Sequence, residues 1–225
     1  MKTLKTAIVA ATLSTAAIGV APVAMAEVSA SATLSTSYLW RGYDLGSGTP
    51  AFSADVVYSE GGFYGGLWLS SGDRAIKTTV KADGTYDSSV TAGTEYDLFL
   101  GYGGSLGEIS YNIGYATYSY PTGSSENNNP GDLAEYIYSV GYGPASVTIY
   151  DDVDSSYTYT AYSLDAGDFS FTYGAHDGGA DDQSNLDVSY SVNDSLSLTM
   201  STVLDSDDTS DDAETTFVAS YTLPF

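Results

Sequence analysis

Phe217-Val218-Ala219-Ser220-Tyr221-Thr222-Leu223-Pro224-Phe225 closes the sequence. Phe217, Ala219, Tyr221, Leu223 and Phe225 occupy alternate positions, and a two-residue period predicts a strand with one apolar face. As the last element, such a strand leaves a row of unpaired backbone groups unless another strand covers it. Pairing with the first strand of the same sheet removes both edges at once. The stretch therefore predicts a sheet closed into a barrel.

The beginning of the sequence points the same way. Lys2 and Lys5 precede an apolar run from Ala7 to Val23, and Ala24-Met25-Ala26 has the small residues of a cleavage site. Residues 1–26 thus read as a secretory signal peptide, leaving residues 27–225 as one exported domain. A membrane anchor is the competing reading, but small Ala and Thr dilute a run already short for a span of about 20 residues. No later run approaches that length, and the only non-helical way through lipid is a closed barrel. The final strand, ending on an aromatic, resembles the closing strand of a bacterial outer-membrane β-barrel.

Composition narrows the class. There is no Cys to staple an exported fold, and Tyr outnumbers Phe 21 to 7. Tyr suits a membrane interface, with its ring in lipid and its hydroxyl in water. Beyond the first 26 residues only Arg41, Arg74, Lys77 and Lys81 carry positive charge, against 29 Asp and Glu in the whole sequence. Nucleic acid is excluded as a partner, because its binding rests on basic residues facing phosphates. Small cations are the natural counterpart, and no cofactor motif is present.

From Val28 onward, alternating runs are expected at 28–40, 50–59, 63–71, 94–102, 108–120, 133–142, 145–151, 157–164, 168–176, 185–192, 195–203 and 215–225. These are twelve antiparallel strands, or ten if the weak hairpin over 145–164 does not form. Most approach the 9–11 residues of a tilted membrane strand. Tight turns are expected at 60–62, 103–107, 143–144, 165–167 and 193–194, where Gly, Pro, Asn and Asp accept unusual backbone angles. Connections near 43–49, 71–93, 121–132, 151–156, 177–184 and 204–214 are mostly longer and polar. Short turns at one end and long loops at the other are the asymmetry of outer-membrane barrels, which places both termini in the periplasm.

Charge sets the register. A Lys or Arg facing lipid at mid-bilayer costs roughly 2–4 kcal/mol and Asp or Glu less, so strand carboxylates belong in the lumen. Asp55 then opposes Phe52, Ala54, Val56 and Tyr58; Glu95 and Asp97 oppose Tyr96, Leu98, Leu100 and Tyr102. Glu108 and Asn112 oppose Ile109, Tyr111 and Ile113, and Asp187 opposes Leu186, Val188 and Tyr190.

Ser37-Tyr38-Leu39-Trp40-Arg41-Gly42 resembles the opening motif of the TorF-like family of proteobacterial porin-like proteins, and so do Pro50-Ala51-Phe52, Gly62-Phe63-Tyr64-Gly65-Gly66-Leu67-Trp68 and Glu95-Tyr96-Asp97-Leu98. The chain departs from that pattern at Tyr43-Asp44-Leu45 and in a longer 71–93 segment. The resemblance implies an outer-membrane barrel and carries no catalytic or ligand residues.

Asp55, Glu95, Asp97, Glu135 and Asp187 are the expected lumen carboxylates, with almost no strand Lys or Arg to match them. Unmatched carboxylates need water, so the expected lumen is water-filled. The competing interior is narrow, with Tyr and Ser hydroxyls bonded to the acids. Arg41 is the expected cation at the lumen rim, either gripping a carboxylate through a bidentate bond or sitting at the mouth. The function expected is a small porin-like barrel passing solutes or ions with cation preference. The alternative is a closed structural or surface-binding barrel with acidic loops. Asp207, Asp208, Asp211 and Asp212 are weak candidates for a divalent cation, with hard oxygen ligands but no fixed ligand order. His176 beside Asp177 is a remote candidate for a rim hydrolase. The chain is otherwise read as a non-enzyme. Its expected partners are outer-membrane lipid, lipopolysaccharide and, during insertion, the barrel-assembly machinery.

If the terminal strand must pair to close the barrel, Phe225→Ser or deletion of Phe225 lowers outer-membrane levels far more than a comparable loop change. Immunoblots of membrane fractions measure this. Undiminished levels of both variants would contradict the closing role.

Overall fold

The computed structural model describes residues 26–46, 48–71, 74–80, 86–122, 129–179, 182–206 and 215–225, with 74–80 and 86–92 described by their backbone. The signal peptide and the acidic tract with Asp207, Asp208, Asp211 and Asp212 lie outside the described residues. Among those described there is no helix, and so none long enough to cross a membrane.

The strands are β1 (Glu27–Ser35), β2 (Leu39–Trp40), β3 (Tyr43–Asp44), β4 (Ala51–Glu60), β5 (Phe63–Ser70), β6 (Arg74–Val80), β7 (Tyr86–Ala92), β8 (Glu95–Leu106), β9 (Ile109–Ser119), β10 (Leu133–Tyr142), β11 (Ala145–Asp152), β12 (Thr158–Ala166), β13 (Phe169–Asp177), β14 (Gln183–Ser191), β15 (Leu196–Ser206) and β16 (Thr215–Pro224). Twelve form one closed antiparallel barrel in the order β1-β16-β15-β14-β13-β12-β11-β10-β9-β8-β5-β4, while β2-β3 and β6-β7 are separate hairpins. The terminal strand closes the ring as expected. Ser31–Ser35 pair with Ser220–Pro224, and the Phe225 N–H donates to the Ala30 carbonyl at 2.8 Å. The hairpin over 145–164 forms as β11 and β12, so twelve strands stand.

Three details differ from the sequence reading. The first barrel strand stops at Ser35 instead of continuing to residue 40. Ser37, Tyr38 and Leu39 are all buried, whereas a wall strand with one lipid face exposes every second residue. The 103–107 segment is not a turn either: Gly103 and Gly104 pair with Asn112 and Tyr111, and β8 runs to Leu106. A Cβ on Gly104 would come within 2.7 Å of the Tyr111 hydroxyl, so this glycine makes room for a cross-strand ring. The real turn is at Gly107, with φ 67°, and Glu108 sits in it, exposed, accepting from the Tyr142 hydroxyl at 3.0 Å. Finally, residues 71–93 carry the β6–β7 hairpin where a loop was expected.

The two faces of the wall separate by residue parity. Val56, Leu100, Ile113, Val140, Leu164, Leu198, Phe217 and Leu223 point outward and are exposed, while Asp55, Asp97, Asn112, Glu135 and Asp187 lie on the opposite parity. Exposed Tyr58, Phe63, Tyr102, Tyr142, Phe169, Tyr190 and Tyr221 sit near the end with the tight turns and the C terminus; an aromatic girdle belongs at the lipid–water boundary. The buried clusters lie inside the ring, one around Ala116, Tyr118, Ile137, Tyr150, Tyr159 and Ala161, the other around Tyr38, Ala51 and Trp68. A soluble barrel would invert this arrangement.

Leu100→Arg, on the outer face, is expected to cost roughly 2–4 kcal/mol in lipid and to reduce the folded fraction. Folding into phospholipid vesicles, read by the heat-dependent gel shift of a closed barrel, checks it. A water-soluble barrel would tolerate the substitution, and an unchanged shift would count against the lipid-facing assignment.

Candidate functional site

Between Trp40 and Tyr43, which pair, stand only Arg41 and Gly42, with φ 48° and 89°. Positive φ at both central residues makes this a type I′ hairpin turn. Glycine accepts that conformation freely; an arginine pays on the order of 1 kcal/mol for it. A Cβ on Gly42 would lie 2.7 Å from the Cβ of Asn185, so the tip also requires glycine for its close approach to β14. The base of the hairpin holds itself together. The Ser37 hydroxyl bonds the Asp44 carboxylate, and the Gly46 N–H donates to the Tyr38 carbonyl at 3.2 Å.

This folded tip carries Arg41 into the barrel, where it is 1% exposed. Its two terminal nitrogens donate to the two oxygens of Glu135 at 2.7 and 2.6 Å, the bidentate geometry that makes guanidinium–carboxylate pairs strong. The guanidinium carbon lies 4.3 Å from the Tyr150 ring centroid, 4.5 Å from Trp40 and 5.0 Å from Tyr159, within cation–π range. The Tyr118 hydroxyl donates to Glu135 at 2.7 Å. Removing one partner of such a buried pair costs roughly 3–5 kcal/mol, because the other charge is left without compensation.

The remaining lumen carboxylates are handled differently. Glu95 accepts the hydroxyls of Tyr38 at 2.6 Å and Tyr120 at 2.8 Å. Burial first, then the neighbouring Glu95 charge, pushes the Tyr38 phenol well above its ordinary value, so it stays a donor. Asp187 accepts from Ser201 and, at 3.0 Å, from the Asn185 amide, and Asp55 accepts from Ser31. Asp97 is fully buried, and neither of its oxygens finds a partner among the described residues. The lumen acids are less bare than the residues alone suggested: Glu135 is paired with Arg41, Glu95, Asp55 and Asp187 accept bonds from hydroxyls, and Asp97 finds no partner among the described residues.

Toward the turns the interior changes character. Ser139–Thr148, Ser163–Thr172 and Ser189–Thr199 form hydroxyl pairs at 2.8–3.0 Å. Most of these side chains are half-buried. Small hydroxyl side chains line that half, where rings line the other.

Arg41, expected at the rim, is inside; Glu95, Asp97 and Glu135 lie on the same side of the plug, and Asp187 and Asp55 on other wall segments. His176 does not meet Asp177, because strand alternation turns the next residue outward. Its Nδ1 faces the Tyr157 hydroxyl at 2.8 Å and its Nε2 the Arg41 carbonyl at 2.8 Å. A carbonyl only accepts, so Nε2 carries the proton and Nδ1 accepts from Tyr157. The ring pins the hairpin tip to β13. Among the described residues no three His, Asp or Glu are placed to hold a metal.

Sequence reasoning missed Tyr118, Tyr150 and Tyr159 as a group. Their signal was parity: Tyr118 shares its face with Asn112, opposite the outward Tyr111 and Tyr115.

A closed twelve-strand barrel with an apolar exterior and a polar, partly plugged interior is an outer-membrane-type β-barrel. Residues 19–206 match the sequence profile of the Gcw_chp family, described as bacterial proteins of unknown function, and the chain belongs to that family. No curated protein matches it. Among solved structures it is similar to the KdgM porin, at 8% identity over 89% of this chain and 98% of that one, with a TM-score of 0.43. It is also similar to the outer membrane phospholipase OMPLA dimer of Salmonella typhi with bound calcium, at 11% identity over 86% and 89%, with a TM-score of 0.44.

Glu135→Gln and Arg41→Ala are each expected to destabilise the barrel by roughly 3–5 kcal/mol. Arg41→Met with Glu135→Leu, which removes both charges, should cost less than the sum of the single changes. Urea unfolding in detergent, followed by tryptophan fluorescence, measures all of these. Additive losses would mean that the pair is not coupled.

Proposed function

We propose that this protein is a porin-like barrel of the outer membrane, passing small solutes or ions with a preference for cations. Its long loops face outward, and both termini are periplasmic. One observation carries the reading. The barrel holds Asp55, Glu95, Asp97, Glu135 and Asp187 inside, and Arg41 is the only basic side chain placed there among the described residues. Low-dielectric walls around an excess of one charge concentrate counter-ions and repel co-ions. The likeness of Ser37–Gly42 to the TorF-like opening motif supports the same assignment. Outer-membrane lipid, lipopolysaccharide and the barrel-assembly machinery are the partners this location requires.

A second reading is a closed structural or surface-binding barrel. The packing of Arg41 against the Glu135, Tyr150 and Tyr159 side chains favours it, since passage requires the hairpin to leave that position. Conductance decides between the two. In planar bilayers under a salt gradient, wild-type protein is expected to conduct with a cation-selective reversal potential. Asp55→Asn with Asp97→Asn should move that potential toward zero with little change in the heat-dependent gel shift. The shift should exceed that from neutralising the acids of 205–214, whose field salt screens over about 10 Å at 0.1 M. Absence of any conductance, or full selectivity in the double variant, would favour the closed barrel.

A further inference from the structure

Glu135, Tyr118, Tyr150 and Tyr159 all belong to the wall, on the four neighbouring strands β10, β9, β11 and β12. Arg41 does not. It arrives on a separate two-strand hairpin whose closing bonds, Ser37 to Asp44 and Gly46 to Tyr38, are internal to residues 37–46. The four residues of the box are thus supplied by the wall alone, and the occupant by a separate element. The box offers a two-oxygen fork oriented by a tyrosine hydroxyl, with two further phenol rings facing the guanidinium. A fork and ring faces together select a planar, delocalised cation with parallel N–H donors over a compact ammonium. Only the terminal nitrogens are gripped: the Arg41 Nε finds no partner among the described residues. The recognised unit is thus the end of an alkylguanidinium.

We propose that Glu135, Tyr118, Tyr150 and Tyr159 form a guanidinium-binding site in the lumen, and that Arg41 is its tethered occupant. When the hairpin withdraws, the vacated box takes a solute carrying a guanidinium group, and its return excludes that solute. The exchange with solutes in transit rests on the pore reading above; the binding site does not.

The test is chemical rescue. Arg41→Ala protein, refolded in detergent, is heated with increasing millimolar ethylguanidinium chloride or with sodium chloride at equal ionic strength. The temperature of the gel-shift transition should rise saturably with ethylguanidinium and not with sodium. Wild type, its box already filled, should not respond. In Arg41→Ala/Glu135→Gln the half-saturating concentration should be at least about tenfold higher, because the charge-assisted fork is gone. If Arg41→Ala refolds poorly, recovery of the shifted band in ethylguanidinium serves as the readout, and Arg41→Gln is titrated beside it. An equal response to both salts, or a wild-type response matching the variants, overturns the proposal. Bilayer conductance of the same samples is separate. Rescue without conductance leaves the site standing and removes the pore; conductance without rescue does the reverse.

Discussion

In hydrocarbon, a backbone N–H or C=O has no partner except another backbone group, and each one left over costs several kcal/mol. The pairing of β1 with β16 is therefore the contact on which the rest depends. Without it two strand edges would face lipid; with it the ladder is continuous around twelve strands. Closure requires the terminal strand to be complete, which is why pairing persists to the Phe225 N–H. It also imposes one apolar face on every strand, since the outside of a closed ring is lipid all the way round.

That demand sends the mid-strand charges Asp55, Asp97, Glu135 and Asp187 inward, and the interior must then satisfy them with few cations. The protein solves this mainly with hydroxyls. Tyrosine serves twice: outside as an interfacial ring, and inside as the donor that holds Glu95 and Glu135. Arg41 is the exception, and its bidentate pair with Glu135 ties a hairpin that belongs to no wall strand to the middle of the lumen. A buried ion pair adds little net stability compared with apolar packing, but it specifies one position for the group that carries it. His176, whose Nε2 proton binds the Arg41 carbonyl, adds a second fixed point from β13. The functional question for this barrel is thus mechanical as well as electrostatic: a polar, hydroxyl-lined half leads to a half closed by one small element.

Much of this was legible in the residues. The alternation of Phe217 to Phe225 and the opposition of Asp97 to Leu98 and Leu100 depend on local geometry and on the cost of charge in lipid. The places where reading failed share a cause. Tyr38-Leu39-Trp40 keeps strand alternation yet leaves the wall, and Gly103-Gly104 has turn residues yet stays in a strand. In both cases the deciding factor is a neighbour distant in sequence: the interior that buries Tyr38 and Leu39 together, and the Tyr111 ring that occupies the space over Gly104.

The sequence by itself determined the closed barrel, its strand count, which face of each strand meets lipid, and that acids would collect inside. Those follow from a period of two and from the price of charge in hydrocarbon, both of which act within a few residues. Only the tertiary structure decided that Arg41 lies inside the lumen instead of at its rim, that Glu135 is its partner and that three tyrosines from three strands gather beside them. Arg41 and Glu135 are 94 positions apart. No local pattern links them, because their meeting depends on the curvature of the whole ring and on the hairpin that turns into it.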